Sequence, residues 1–131
     1  MKLGEAKEKI AQINTFLDSI EGTLKYGPAS AVAEALNDGN ELLKSKQLLQ
    51  KRIREVEETT LLEGNVLSDV ISVLEVLNYK VHLLEILCNR AEGLGALKDS
   101  IHDQLNNFRT TRDALKLSVS RCLWETEILD E

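Results

Sequence analysis

The amino-acid sequence predicts an all-α protein, an elongated antiparallel bundle of four long amphipathic helices with coiled-coil-type heptads. Apolar residues recur every three or four positions over most of the chain, as they do on one face of a helix. Pro28 is the single proline, and glycines mark three places where helices could end. Hydrophobic residues make up 43% of the 131 residues, enough for a core without metals or crosslinks. We therefore expect one helical-bundle domain over residues 1–131.

The first helix is predicted over residues 3–26. Its apolar positions alternate steps of three and four residues, which is the a/d spacing of a coiled-coil seam. They are Leu3, Ala6, Ile10, Ile13, Leu17, Ile20 and Leu24. The helix should stop at Gly27 and Pro28, because glycine supplies a C-terminal cap and proline suits the first turn of the next helix.

The second helix is predicted over residues 29–60, on a less regular apolar stripe. The polar run at residues 37–40 has poor helix propensity, so we expect a kink, a short break or a frayed first third there. Gly64 and Asn65 both tolerate the left-handed conformation and predict a turn before the third helix. A single helix that continues through this point is the alternative.

The third helix is predicted over residues 66–92 and the fourth over residues 96–127, with Gly93 and Gly95 between them. A three-and-four stripe runs from Leu67 to Cys88, and further apolar residues such as Val73, Leu83 and Ile86 widen it. The third helix should therefore be central and contacted on two or more sides. The predicted fourth helix is longer than the first, so the apolar residues at its end, Ile128 and Leu129, are expected to overhang the bundle.

The sequence offers little material for catalysis or cofactor binding. His82 and His102 lie on different predicted helices without a cysteine or second histidine at ligand spacing, and the Glu-x-x-His pairs of di-iron bundles do not occur. Gly93-Leu94-Gly95 follows an amphipathic helix rather than a strand, so it is not a phosphate-binding motif. We expect no enzymatic activity, no cofactor, no metal site and no small-molecule substrate.

Charge and composition bear on partners and location. The net charge of −6 disfavours nucleic acid as a partner, because phosphate binding needs a cationic face. Cys88 and Cys122 belong to no CxxC or Cys/His pattern and are expected to be buried free thiols. The N-terminal residues lack the apolar core of a signal peptide, and charged or polar residues interrupt every apolar stretch. A cytosolic or nuclear protein without direct membrane insertion is expected, and the cytoplasm is the predicted location.

The wide apolar stripes and the low aromatic content of 4% indicate more helical seam than one chain can bury. A partner helix or a second copy should cover the surplus. Trp124 is the only tryptophan; it either forms a binding hot spot or closes one end of the bundle. The residues predicted to bind partners are Leu3, Ile10, Leu17, Leu24, Trp124, Ile128 and Leu129.

Three short segments together resemble a known family. They are Leu17–Glu21 with Lys25–Pro28, Lys51–Glu58, and Leu123–Leu129. In this order they are similar to the first helix with its turn, the basic-acidic helix and the closing tryptophan-containing helix of the smallest shoulder subunit of dynactin, the dynactin subunit 3 family. This chain is shorter than typical members, and their proline-containing loop is reduced here to Gly64-Asn65.

The resemblance implies a non-catalytic structural subunit of the dynein activator, packed against the other dynactin shoulder subunits and associated with the cytoskeleton. From the residues alone, the leading hypothesis is a scaffold within a multi-protein coiled-coil assembly. The alternative is a self-contained regulatory or adaptor bundle, as in a SNARE N-terminal domain, a tethering complex or a kinetochore or spindle complex. Stability separates the two, because an obligate subunit self-associates when isolated.

Overall fold

The computed structural model describes residues 1–90 and 93–128 and consists mainly of helices. The helices are α1 (Leu3–Tyr26), α2 (Ala29–Thr59), α3 (Leu67–Cys88) and α4 (Leu97–Glu125), and the strands β1 (Leu61–Leu62) and β2 (Asn65–Val66) lie between α2 and α3. The mainly helical prediction is confirmed, whereas the small sheet was not predicted. The chain groups into two compact units, which we call unit 1 (Met1–Thr59 with the residues from Leu123) and unit 2 (Thr60–Cys122). The single domain over residues 1–131 stays a prediction.

In unit 1, α1 and α2 form an antiparallel helical hairpin. Lys7 Nζ lies 2.5 Å from Glu57 Oε1, so the start of α1 meets the end of α2. The hairpin turns at Gly27, whose backbone is extended and whose N–H donates to the Thr23 carbonyl oxygen at 2.8 Å. A Cβ on Gly27 would lie 2.6 Å from that oxygen. Glycine is therefore required at the predicted stop for space rather than for a left-handed conformation.

The described structure of α2 has no break at residues 37–40. Gly39 is buried within the helix, and a Cβ built on it would lie 3.4 Å from Ile20 Cγ2 of α1. A side chain no larger than a methyl group thus fits between the two helices at this position. Packing against α1 outweighs the poor helix propensity of this polar run.

The two ends of unit 1 pair with each other as extended backbone. Lys2 and Glu127 form an antiparallel bridge. The Leu3 N–H donates to Thr126 O at 2.8 Å, and the Ile128 N–H donates to Met1 O at 2.9 Å. Because residues 126–128 take part in this pairing, α4 ends at Glu125 rather than at the predicted residue 127.

The strands of unit 2 form a tight β-hairpin. Leu61 pairs with Val66 and Leu62 pairs with Asn65. The two loop residues, Glu63 and Gly64, have φ values of 51° and 85°, as a type I′ turn requires. The break between the second and third helices is therefore confirmed and the continuous helix is wrong, although the loop lies one residue earlier than the predicted turn at Gly64-Asn65.

Helices α3 and α4 of unit 2 also run antiparallel. Arg109 Nη2 of α4 lies 2.9 Å from Glu85 Oε1 of α3, and His102 Nδ1 lies 3.8 Å from Cys88 Sγ at the end of α3. The predicted third helix is too long, since α3 ends at Cys88; residues 91 and 92 lie outside the described residues. The buried apolar side chains of this unit are Leu67, Val70, Val81, Ile101, Leu105 and Val119.

Candidate interaction surfaces

The predicted partner-binding residues of unit 1 fall into different environments. Leu3 and Ile128 are buried, where they support the pairing of the two ends. The expected overhang of Ile128 is therefore wrong, and Leu129 lies outside the described residues. Ile10 and Leu17 are half-buried, and Leu24 is exposed. Of these five predicted residues, Leu24 is the most exposed, at 40%.

Trp124 packs on the first turn of α1 and still exposes 44% of its surface. A Cβ on Gly4 would lie 2.8 Å from Trp124 Cε2 and 2.9 Å from Cδ2, so the indole ring rests directly against the glycine. Trp124 therefore covers one end of α1, whereas closure of one end of the bundle stays a prediction. Its remaining exposed area leaves the other interpretation, a binding hot spot, open to experiment.

Helix α3 has a row of exposed apolar side chains that we call the α3 face. Each of these side chains is between 45% and 63% exposed. They are Val73, Val76, Tyr79, Leu83 and Ile86. The last four follow steps of three, four and three residues, the spacing of a coiled-coil seam.

The α3 face lies on a different side of the helix from the predicted seam. The seam residues Leu67, Val70 and Val81 are buried, and at 100° per residue their mean direction differs from that of the α3 face by roughly 170°. Helix α3 is thus apolar on two sides, as the width of its apolar stripe in the sequence predicted. The expectation that both sides would be contacted is not met within the described chain, because the second side is exposed.

Sequence reasoning found only part of the α3 face. It counted Val73, Leu83 and Ile86 as residues that widen the stripe, but it did not single out Val76 or Tyr79. A second seam could have been recognised from the spacing alone, because Val76, Tyr79, Leu83 and Ile86 repeat the a/d steps on the opposite side of the helix from the first seam.

A groove between α1 and α2, close to their connection, is a second apolar surface. We call it the hairpin groove. It is lined by Phe16, Ser19, Ile20, Asp38, Glu41 and Leu42. Phe16 is 59% exposed, so an aromatic ring stands open at the rim of the groove.

A cavity of about 180 Å³ lies where α3 ends and α4 begins. Cys88, Arg90, Lys98 and His102 line it together with residues 93–95. Cys88 and Cys122 are not joined by a disulfide, and both are half-buried rather than fully buried as expected. Among residues 1–90 and 93–128, no group of three or more His, Cys, Asp or Glu side chains could hold a metal ion.

No helix within the described ranges is long and apolar enough to cross a membrane. Comparison with protein-family models, with curated proteins and with solved structures finds no match. The comparisons therefore neither support nor oppose the resemblance to the dynactin shoulder subunit. The function has to be inferred from the chain's own surfaces, of which the α3 face is the most regular.

Proposed function

We propose that this chain is a non-catalytic structural subunit that packs its helices with partner helices in a multi-protein coiled-coil assembly. The α3 face is the observation that carries the proposal. A row of five large apolar side chains on one helix is a typical binding surface for another helix, because monomers rarely expose contiguous apolar patches.

The size of the α3 face indicates how many contacts the assembly needs. Full burial of one such side chain contributes about 1.5–3 kcal/mol, so burying the exposed half of five contributes roughly 5 kcal/mol. A micromolar complex requires a net free energy of about 8 kcal/mol, after the cost of association. The α3 face alone is therefore too small, and partners must contact further surfaces such as Trp124. This requirement favours an assembly with several contacts over a single transient partner.

The elongated bundle and the coiled-coil pairing belong to the same proposal. Antiparallel pairing of α1 with α2 and of α3 with α4 supports a four-helix arrangement of this kind. The dynactin shoulder is the named candidate assembly, because of the three similar segments, and it would place the chain in the cytoplasm on the microtubule transport machinery. Nucleic acid, inserted membrane and small-molecule substrates have no role in this proposal.

The test is affinity purification of the tagged chain from its native cell extract, followed by identification of proteins recovered in stoichiometric, salt-resistant amounts. Wild type is compared with Leu83→Asp on the α3 face and with Leu117→Asp, a control leucine of α4 that is similarly exposed. We expect the wild type and the control to recover the same coiled-coil proteins, and the α3 variant to lose them while its far-UV circular dichroism stays helical.

Recovery of dynactin subunits would support the named assembly, and recovery of another coiled-coil set would replace the name and keep the class. If Leu83→Asp retains every partner, the α3 face is not the binding surface. If the wild type is monomeric and recovers no protein, the scaffold proposal fails and the self-contained bundle is favoured.

A further inference from the structure

We infer that the hairpin groove binds a basic amphipathic helix of a partner protein. This adds a partner chemistry to the proposed function and rests on it only in taking the partner to be helical. The residues of the hairpin groove are all in unit 1, whereas the α3 face is in unit 2. The two surfaces can therefore be tested separately, and one can fail without the other.

The floor of the hairpin groove is apolar and is formed where the two helices approach closely. A Cβ built on Gly39 of α2 would lie 3.4 Å from Ile20 Cγ2 of α1, so the two helices are close at this point. Ile20 and Leu42 are half-buried, and Phe16 is exposed beside them. A groove between two antiparallel helices accepts the side-chain ridge of a third helix, which needs apolar residues at steps of three and four.

The surroundings of the hairpin groove are strongly acidic. Residues 14–44 contain five carboxylates and two cationic side chains, Lys25 and Lys44, so this stretch has a net charge of −3. The carboxylates are Asp18, Glu21, Glu34, Asp38 and Glu41. The whole chain has a net charge of −6, so half of its excess negative charge is at this end of the α1–α2 hairpin.

Two of these five carboxylates pair with a neighbouring lysine. Lys25 Nζ pairs with Glu21 at 2.8 Å, and Lys44 Nζ lies 3.6 Å from Glu41 between two well-exposed side chains. Among the described residues, Asp38 at the rim of the groove has no ion-pair partner. The rim therefore attracts cationic side chains and repels anionic ones.

The other end of the α1–α2 hairpin differs in charge. A second groove there is lined by Lys7, Arg54 and Glu57 with three uncharged residues, and Lys7 pairs with Glu57. Its charges are mixed, so it selects for neither sign. The acidic character is thus a property of the hairpin groove and not of the whole hairpin.

Charge also decides between possible occupants. A second copy of the chain that used the same surface would bring two acidic rims together, which is unfavourable. An acidic helix would be repelled in the same way. A helix with an apolar stripe flanked by lysine and arginine satisfies both the floor and the rim.

The experiment uses the full-length chain and a synthetic amphipathic helix of about 18 residues, roughly 27 Å long, made of leucine and lysine at helical spacing. A matched peptide has glutamate at each lysine position. Binding is measured by fluorescence anisotropy at about 50 and about 300 mM salt, where screening of exposed charges differs. The binding site is located from backbone amide shifts in NMR spectra.

The test variant is Asp38→Lys with Glu41→Lys, and the matched control is Glu55→Lys with Glu58→Lys, two exposed acids near the other end of α2. Both double variants change the net charge equally. We expect the lysine peptide to shift amides around Phe16, Ile20 and Leu42, and to bind the groove variant about tenfold more weakly than the control variant. Its affinity should also fall as salt rises, and the glutamate peptide should not bind.

Equal affinity for the two double variants would overturn the inference, because general attraction to an acidic protein would then explain the binding. Amide shifts confined to the α3 face, with binding lost in Leu83→Asp, would also overturn it but would support the proposed function. If Leu83→Asp binds the peptide as wild type does and yet recovers no partners from extract, both surfaces are active and separate.

Discussion

Three glycines lie inside helices of unit 1 and meet different surroundings, so replacing each with alanine tests the packing directly. Alanine favours a helix interior by about 1 kcal/mol over glycine. The outcome therefore depends on the space available to the new methyl group. A Cβ at Gly22 would meet nothing within 4 Å, and a Cβ at Gly39 would make ordinary contact with Ile20. A Cβ at Gly4 would lie too close to the ring carbons of Trp124, at 2.8–3.2 Å.

For Gly22→Ala we expect the free energy of unfolding to rise by about 0.5–1 kcal/mol, which raises Tm by about 2–4 °C for a chain of this length. Gly39→Ala should give a similar gain. Gly4→Ala should lose about 1–2 kcal/mol, because the Trp124 ring must move outward from carbon positions 2.8–3.2 Å away and lose contacts. The gain in helix propensity is smaller at Gly4, which lies in the first turn.

Urea unfolding followed by circular dichroism measures the three stabilities. Trp124 is the only tryptophan, so its emission reports directly on the displaced ring in Gly4→Ala. In a Trp124→Ala background, Gly4→Ala should lose its penalty, as a double-mutant cycle would show. If Gly4→Ala is as stable as Gly22→Ala and the emission is unchanged, the described contact between Trp124 and Gly4 is wrong.

Three further predictions concern the core and the ion pairs. Val81→Ala should cost about 2 kcal/mol, because this side chain is buried, whereas Val76→Ala on the exposed side of α3 should change stability by less than about 0.5 kcal/mol in urea unfolding. Lys7→Met should cost about 1–2 kcal/mol by leaving the largely buried Glu57 carboxylate unpaired, and adding Glu57→Leu should recover most of it. The hydrogen bond from Lys2 lowers the pKa of Glu127. The ion pair between Lys2 and Glu127 therefore stabilises the fold fully above the ordinary pKa of 4.5, and this stabilisation is lost as pH falls through the lowered pKa. Glu127→Gln should therefore lower the urea midpoint at neutral pH, and the difference from wild type should shrink as pH falls below 4.5.

Local signals in the sequence located most helix boundaries. Gly27 and Pro28 end α1 and start α2 as predicted, because a proline cannot extend the preceding helix. Glycines at 93 and 95 have positive φ values, and α4 begins two residues after them. These boundaries depend on the stereochemistry of one or two residues, which is visible in a single sequence.

The features that sequence reasoning missed depend on contacts between distant residues. Residues 126–128 leave the helix because they pair with the first residues of the chain, and nothing local marks that change. Glu63 adopts a left-handed conformation that its residue type does not favour, so the hairpin was predicted only as a turn. The hydrophobic pattern of α3 shows two apolar sides, but it does not indicate which side the chain itself buries.

The β-hairpin of unit 2 has a mechanical consequence for α3. The carbonyl oxygen of Thr60 accepts a hydrogen bond at 2.8 Å from the N–H of Leu67, the first residue of the helix. The sheet register therefore fixes the angular setting at which α3 starts, and each later residue is placed about 100° further round the axis. One residue inserted between Val66 and Leu67 would turn the whole helix by that angle. The β-hairpin thus sets the rotation of α3 about its own axis, and with it the direction in which the α3 face points.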